Sequence, residues 1–184
     1  MCIRDSQNID VDVVGDLPTA CSSPYLISVT NVNNQGQKES NAAFGLNSID
    51  LGAFGSAVYT CTSPNGYGPF GGTSGASPHV AGAIALMHSA ACFNFSTLEL
   101  IYPDSAALVI KKNILDGVVP IVDLNNSSVS GGYLNLFNAL AELINDCPDS
   151  CFSVYDIKHE VIGDSLLHLE WKFPPLINLS LIHI

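Results

Sequence analysis

Basic side chains are scarce in this sequence: six lysines and arginines face 17 aspartates and glutamates, a formal net charge of −11 at pH 7. A nucleic-acid partner normally demands a basic face, so that class of function is excluded. Long apolar runs are also missing, and no stretch reaches the roughly 18 residues that a membrane-spanning helix requires. No signal peptide is visible at the start. Histidine is absent from residues 1–73, and all five, His79, His88, His159, His168 and His183, come later. Cys147 and Cys151 have no second Cys/His pair at finger-like spacing, which argues against a zinc finger.

What the chain does contain begins with cysteine. Leaving Cys2 aside, Cys21, Cys61, Cys92, Cys147 and Cys151 are the disulfide candidates; their pairing is open, and an oxidising compartment suits two bridges. Asn94, Asn125, Asn126 and Asn178 each head a glycosylation sequon.

Residues 7–24 are acidic and turn-rich and read as a surface loop. Tyr25 to Thr30 has the length and apolarity of a buried parallel strand, and Ile49–Leu51 and Ala57–Thr62 suggest two more. The cluster from Ser63 to Pro69 reads as a turn. Ser96 and Glu99 fit a capping box, a helix is expected from near Asp104 to Gly117, and Leu134, Phe137, Leu140, Ala141 and Ile144 mark an amphipathic closing helix. Residues 146–151 read as a linker. Beyond them Leu167, Leu169, Trp171 and Phe173 alternate with polar neighbours, the period of a half-buried strand.

The most informative segment runs from Gly72 to Gly82, Gly72-Thr73-Ser74-Gly75-Ala76-Ser77-Pro78-His79-Val80-Ala81-Gly82. A glycine-flanked polar loop passes at Ser74 into the apolar, small-residue run Val80–Met87, with Pro78 expected in the first turn of a helix. That geometry exposes the Ser74 hydroxyl while backbone N–H groups at the helix start face any developing oxyanion. The small residues are expected to let this helix lie against neighbouring backbone at the centre of a domain.

These residues resemble the serine-containing motif G-T-S-x-A-x-P-H-V-A-G of the subtilisin-like serine proteases, peptidase family S8. The resemblance extends to Tyr25–Thr30, to Ile49–Gly55 (with Phe54 where the family usually has proline), and to Val129–Asn135 with Ala139. It implies a three-layer α/β/α fold with a mostly parallel sheet, and peptide or protein substrates cleaved through an acyl-enzyme on Ser74, whose own N–H is an oxyanion donor. The substrate-binding residues and oligomeric state stay open. His79 then falls on a structural helix position, not on the base. The family orders its triad Asp, His, Ser, and no histidine precedes Ser74. Residues 7–148 are therefore expected to be the C-terminal half of a catalytic domain, inert alone, lacking the Asp, the His and the oxyanion Asn. Residues 1–6 and 179–184 look non-native, so Arg4 is given no catalytic role, and residues 149–178 read as a linker and the start of a fibronectin type III-like β-sandwich. No cofactor is required; structural calcium is a family-level expectation only, and Asp50, near a cation-binding position in some relatives, reads as a solvated loop charge. An extracellular location is expected. Two alternatives remain: a catalytically dead subtilisin-like module for peptide binding or adhesion, and an α/β-hydrolase using Ser74 with Asp116, Asp123 or Asp156 and His159. The latter needs G-x-S-x-G, but Ala76 occupies the last position.

Overall fold

The structure, a computed structural model, describes residues 7–90, 92–146, 155–162 and 166–172. It is an α/β arrangement around a four-stranded sheet, in the order β1–β2–β6–β5. β1 (Val29–Val32) and β2 (Leu51–Phe54) pair in parallel, with Val29 opposite Leu51 and Val32 opposite Phe54. β6 (Gly132–Tyr133) continues the parallel pairing beside β2, whereas β5 (Val119–Pro120) adds an antiparallel edge. After β2 in the chain, β3 (Val58–Thr62) and β4 (Gly66–Phe70) form a separate antiparallel hairpin. The expected turn at 63–69 therefore shrinks to its first residues, because the Gly-Tyr-Gly-Pro sequence of β4 can pair with β3 despite its poor strand propensity.

Among the described residues four helices have nine or more residues. α2 (Thr73–Ala90) packs on β1 and β2 and is followed by α3 (Phe93–Ile101), α4 (Pro103–Asp116) and α5 (Leu136–Asn145). The core joins Leu51 and Ala53 of the sheet to Val80 and Met87 of α2, Ile110 and Ile114 of α4, and Leu143 of α5. Only one face of α2 is covered: Ala81, Gly82, Ala85 and Leu86 are exposed, and a Cβ added at Gly82 would meet nothing within 4 Å. The expectation of a helix enclosed by backbone thus holds for one face alone among the described residues.

Local rules explain most helix ends. α4 starts with Pro103 in the position where the missing N–H costs nothing, and it stops at Gly117. Asn135 caps α5 by accepting from Asn138 N–H at 3.0 Å. α3 departs from the sequence reading: Cys92 is its N-cap, with Sγ accepting from Phe95 N–H, so Ser96 lies inside the helix and heads no capping box. Glu99 is instead drawn to His88 at the end of α2.

Residues 7–24 are largely the exposed loop expected, with one helical turn in it. Asp10 accepts from Asp12 N–H and caps a one-turn helix, α1 (Val11–Val14), whose Val11 is buried. Asp12 ties this turn to residues 47 and 48. Partial desolvation opposes its ionisation, but hydrogen bonds from Ser48 and Asn47 outweigh that and hold its carboxyl below the usual value of 3.8. The expected alternating strand near the C-terminus is present as β8 (Leu166–Lys172), paired antiparallel with β7 (Tyr155–Ile162). The terminal segments 1–6 and 179–184, and the linker residues beyond Asp146, lie outside the described residues.

Candidate active site

Ser74 is the second residue of α2, placed there by the Gly72–Thr73 step. Gly72 has φ of +82°, a left-handed conformation that L side chains rarely adopt, and its carbonyl accepts from Gly75 N–H at 2.9 Å and Ala76 N–H at 3.1 Å. With those two donors used, Ser74 N–H donates to no backbone carbonyl among the described residues.

Because the helix starts at Thr73, Pro78 is its sixth residue and not part of its first turn, a correction to the sequence reading. Proline has no N–H to bond the carbonyl four residues back, so Ser74 C=O loses its helical partner. Beside it, His79 Nδ1 lies 2.9 Å from Gly75 O; a carbonyl only accepts, so Nδ1 carries the proton and donates. His79 therefore braces the opened first turn and is not bonded to Ser74. His88 is held by Glu99, so neither histidine whose side chain is described is a base for this serine.

Ser74 and Ser77 line a cleft of about 360 Å³, with Thr73 on the same helix. The facing wall is the irregular segment Leu26–Val29 leading into β1, backed by Pro18 and Thr19. Strand pairing begins only at Val29, later than the expected Tyr25, because residues 26–28 are held from behind by side chains. Asp50 does most of this. Its Oδ2 accepts from Ser28 N–H at 2.8 Å, while Oδ1 lies 3.1 Å from Lys111 Nζ on α4. Asp50 is therefore a nearly buried, paired carboxylate and not a solvated loop charge. A calcium ion does not fit at Asp50, because an ammonium group already stands at the oxygen a metal would need. Among the described residues no three His, Cys, Asp or Glu side chains form a group able to hold a metal.

The turn after β2 accommodates Phe54 without proline: its ring packs on Tyr133 with centroids 5.1 Å apart, and Gly55 N–H bonds Val32 O at 3.2 Å. Of the disulfide candidates, Cys21 and Cys61 are free and exposed, which removes them from the pairings considered. Cys92 is disulfide-bonded, and Cys147 and Cys151 lie outside the described residues.

A serine at a helix head, with an N–H that bonds no backbone carbonyl among the described residues and a cleft beside a parallel sheet, is the arrangement that a nucleophilic serine requires. The model of the subtilase family, peptidase S8, matches residues 12–112, more than half of the sequence, and the chain belongs to that family. The α/β-hydrolase alternative is thereby overturned; Asp116, one of its proposed acids, instead pairs with Lys112 at the end of α4.

An extracellular protease of Xanthomonas campestris pv. campestris is 39% identical over 87 residues, covering 44% of this chain and 14% of that protein. An intracellular serine protease of Paenibacillus polymyxa is 29% identical over 145 residues, covering 78% of this chain and 41% of that protein. The chain thus spans less than half the length of either relative. Among solved structures, the A-subunit of the AB5 toxin from E. coli aligns with a TM-score of 0.61 at 19% identity, over 74% of this chain and 48% of that one. The prenylagaramide maturation protease PagA aligns with a TM-score of 0.54 at 21% identity, over 69% of this chain and 44% of that one. At such identities these two matches speak for the fold alone.

Proposed function

We propose that the complete protein is a serine endopeptidase in which Ser74 Oγ attacks the scissile carbonyl and carries the acyl group. The observation that carries this reading is the placement of Ser74 in the cleft, with its own N–H free to receive the oxyanion. The substrate is a peptide or protein segment lying extended between the head of α2 and residues 26–29. Neither His79 nor His88 takes the Oγ proton in this reading, since the first is bonded to Gly75 O and the second to Glu99. No cofactor enters the reaction. Labelling with a serine-reactive fluorophosphonate tests the assignment: the complete protein is expected to label at Ser74 and this chain alone is not. Failure of the intact protein to label would favour a dead peptide-binding module, and efficient labelling of the chain alone would remove the need for outside residues.

We further place the protein outside the reducing cytosol. The disulfide at Cys92 supports this, because such bridges persist mainly in oxidising compartments. Alkylation of the native protein followed by peptide mapping is expected to leave Cys92 unmodified; a freely alkylated Cys92 would sink the placement.

A further inference from the structure

The turn that leaves β2 is strained, and it lies against the head of α2. Ala57 has φ of +57°, the left-handed region that a residue with a Cβ rarely enters and that persists only where its surroundings enforce it. Two residues earlier, the Gly55 carbonyl oxygen is wedged between the two glycines that flank residues 72–74. A Cβ built on Gly71 or on Gly75 would stand 3.0 Å from it in either case. The position of this turn therefore sets the position of Ser74.

Ser56, between these two residues, holds the turn. Its hydroxyl donates to Glu39 Oε1 at 2.7 Å and accepts from Asn31 Nδ2 at 3.1 Å. Glu39 N–H in turn donates to Asn31 O at 3.0 Å, which closes a ring of hydrogen bonds among β1, the loop after it and the turn after β2. Lys38 fixes that loop from the other side, its Nζ donating to Glu39 O at 3.1 Å and Ala42 O at 2.8 Å. Both backbone groups of Glu39 are thus engaged, and its carboxylate, the stronger kind of acceptor, is delivered to Ser56. Asn31 is buried and its Oδ1 receives no hydrogen bond, so the polar contribution of that side chain runs through Ser56. None of the three residues lines the cleft beside Ser74.

We propose that Glu39 is a positioning residue for Ser74: through Ser56 it holds the 55–57 turn in its left-handed form and so keeps the Gly55 carbonyl seated on the head of α2. Glu39 touches no substrate. The catalytic part of this proposal rests on the serine-endopeptidase reading above, whereas the mechanical part does not.

The test uses the complete protein and two readouts: the saturation kinetics of fluorophosphonate labelling at Ser74, and hydrogen exchange at the Gly75 and Ala76 amides, which bond Gly72 O. Glu39→Ala deletes the acceptor of Ser56. It is expected to lower the maximal labelling rate about 10-fold and to leave the saturation constant within about two-fold, because a displaced serine reacts slowly while the cleft walls are untouched. Exchange at both amides should quicken by a similar factor. Glu39→Gln keeps an acceptor oxygen in the same place and is expected to retain at least about half of the wild-type rate. Glycine adopts the left-handed conformation freely, so Ala57→Gly added to Glu39→Ala should return most of the lost rate. A general loss of stability would show no such recovery.

Should Glu39→Ala fail to fold, Ser56→Ala is expected to show the same slowed labelling and the same recovery with Ala57→Gly. A folded Glu39→Ala or Ser56→Ala that labels at the wild-type maximal rate would overturn the positioning role. So would a loss confined to the saturation constant, or a slowing that neither Glu39→Gln nor Ala57→Gly relieves. A wild type that does not label at all would count against the proposed function. Exchange would then still decide the mechanical part, and unchanged rates at Gly75 and Ala76 in Glu39→Ala would overturn it.

Discussion

Ser74→Ala in the complete protein is expected to lower kcat for peptide hydrolysis by about 10⁶-fold, the size of the loss when the serine of a subtilisin triad is removed. The binding constant for an uncleaved peptide should stay within a few-fold of the wild type. The two effects separate because the substitution deletes only Oγ, whereas the N–H that faces the oxyanion and the cleft walls at Leu26–Val29 remain. Steady-state kinetics and calorimetric titration with a non-hydrolysable peptide check both halves. A variant that kept a tenth of the turnover would remove Ser74 as nucleophile. A wild type that bound peptide without any turnover would instead identify a dead module, for which the hydroxyl is an incidental helix-head residue.

Much of this site was legible in the sequence because its logic is local. A left-handed glycine, a serine and then a small-residue helix specify the head of α2 through backbone conformation, and the same is true of Pro103 and Gly117 around α4. Where the sequence misled, a tertiary partner decided the outcome. Ser96 and Glu99 have the spacing of a capping box, yet Cys92 Sγ takes the cap position and Glu99 turns to His88 on another helix. Asp50 looked like a loop charge because its partner is on α4, and no spacing rule connects the two. The cleft wall was hidden for a related reason: residues 26–28 have strand composition, but Asp50 takes Ser28 N–H and Lys111 takes Leu26 C=O, two groups that a longer strand would need for its ladder. Pro78 shows a third kind of miss. Its place in α2 breaks the usual preference for the first turn and leaves Ser74 C=O without its helical donor, while the His79 side chain bonds the next carbonyl, Gly75 O.

That last point makes the approach of β2 to the head of α2 the most sensitive part of the scaffold, and Gly55→Ala its sharpest probe. A Cβ at Gly55 would overlap the Gly72 carbonyl oxygen and come within 2.7 Å of Ala76 N and 2.6 Å of Asn31 Oδ1. Two of these three atoms are backbone, one of them the carbonyl that caps α2, so no rotamer change relieves the contact. The end of β2 and the first turn of α2 must move apart, carrying Ser74 with them. Overpacking of this kind costs about 1–3 kcal/mol where side chains can yield; with backbone on the other side we expect about 3 kcal/mol or more and a fall in Tm of roughly 6 to 12 °C. In the complete protein, labelling at Ser74 should slow more than in a variant of equal instability elsewhere, because the serine itself is displaced. Gly82→Ala in this chain is the matched control, since its added methyl meets nothing within 4 Å and alanine favours the helix by about 0.5 to 1 kcal/mol. If Gly55→Ala melted within 2 °C of the wild type, the close packing of Gly55 on the α2 head would be wrong, and with it the account of how the scaffold fixes Ser74.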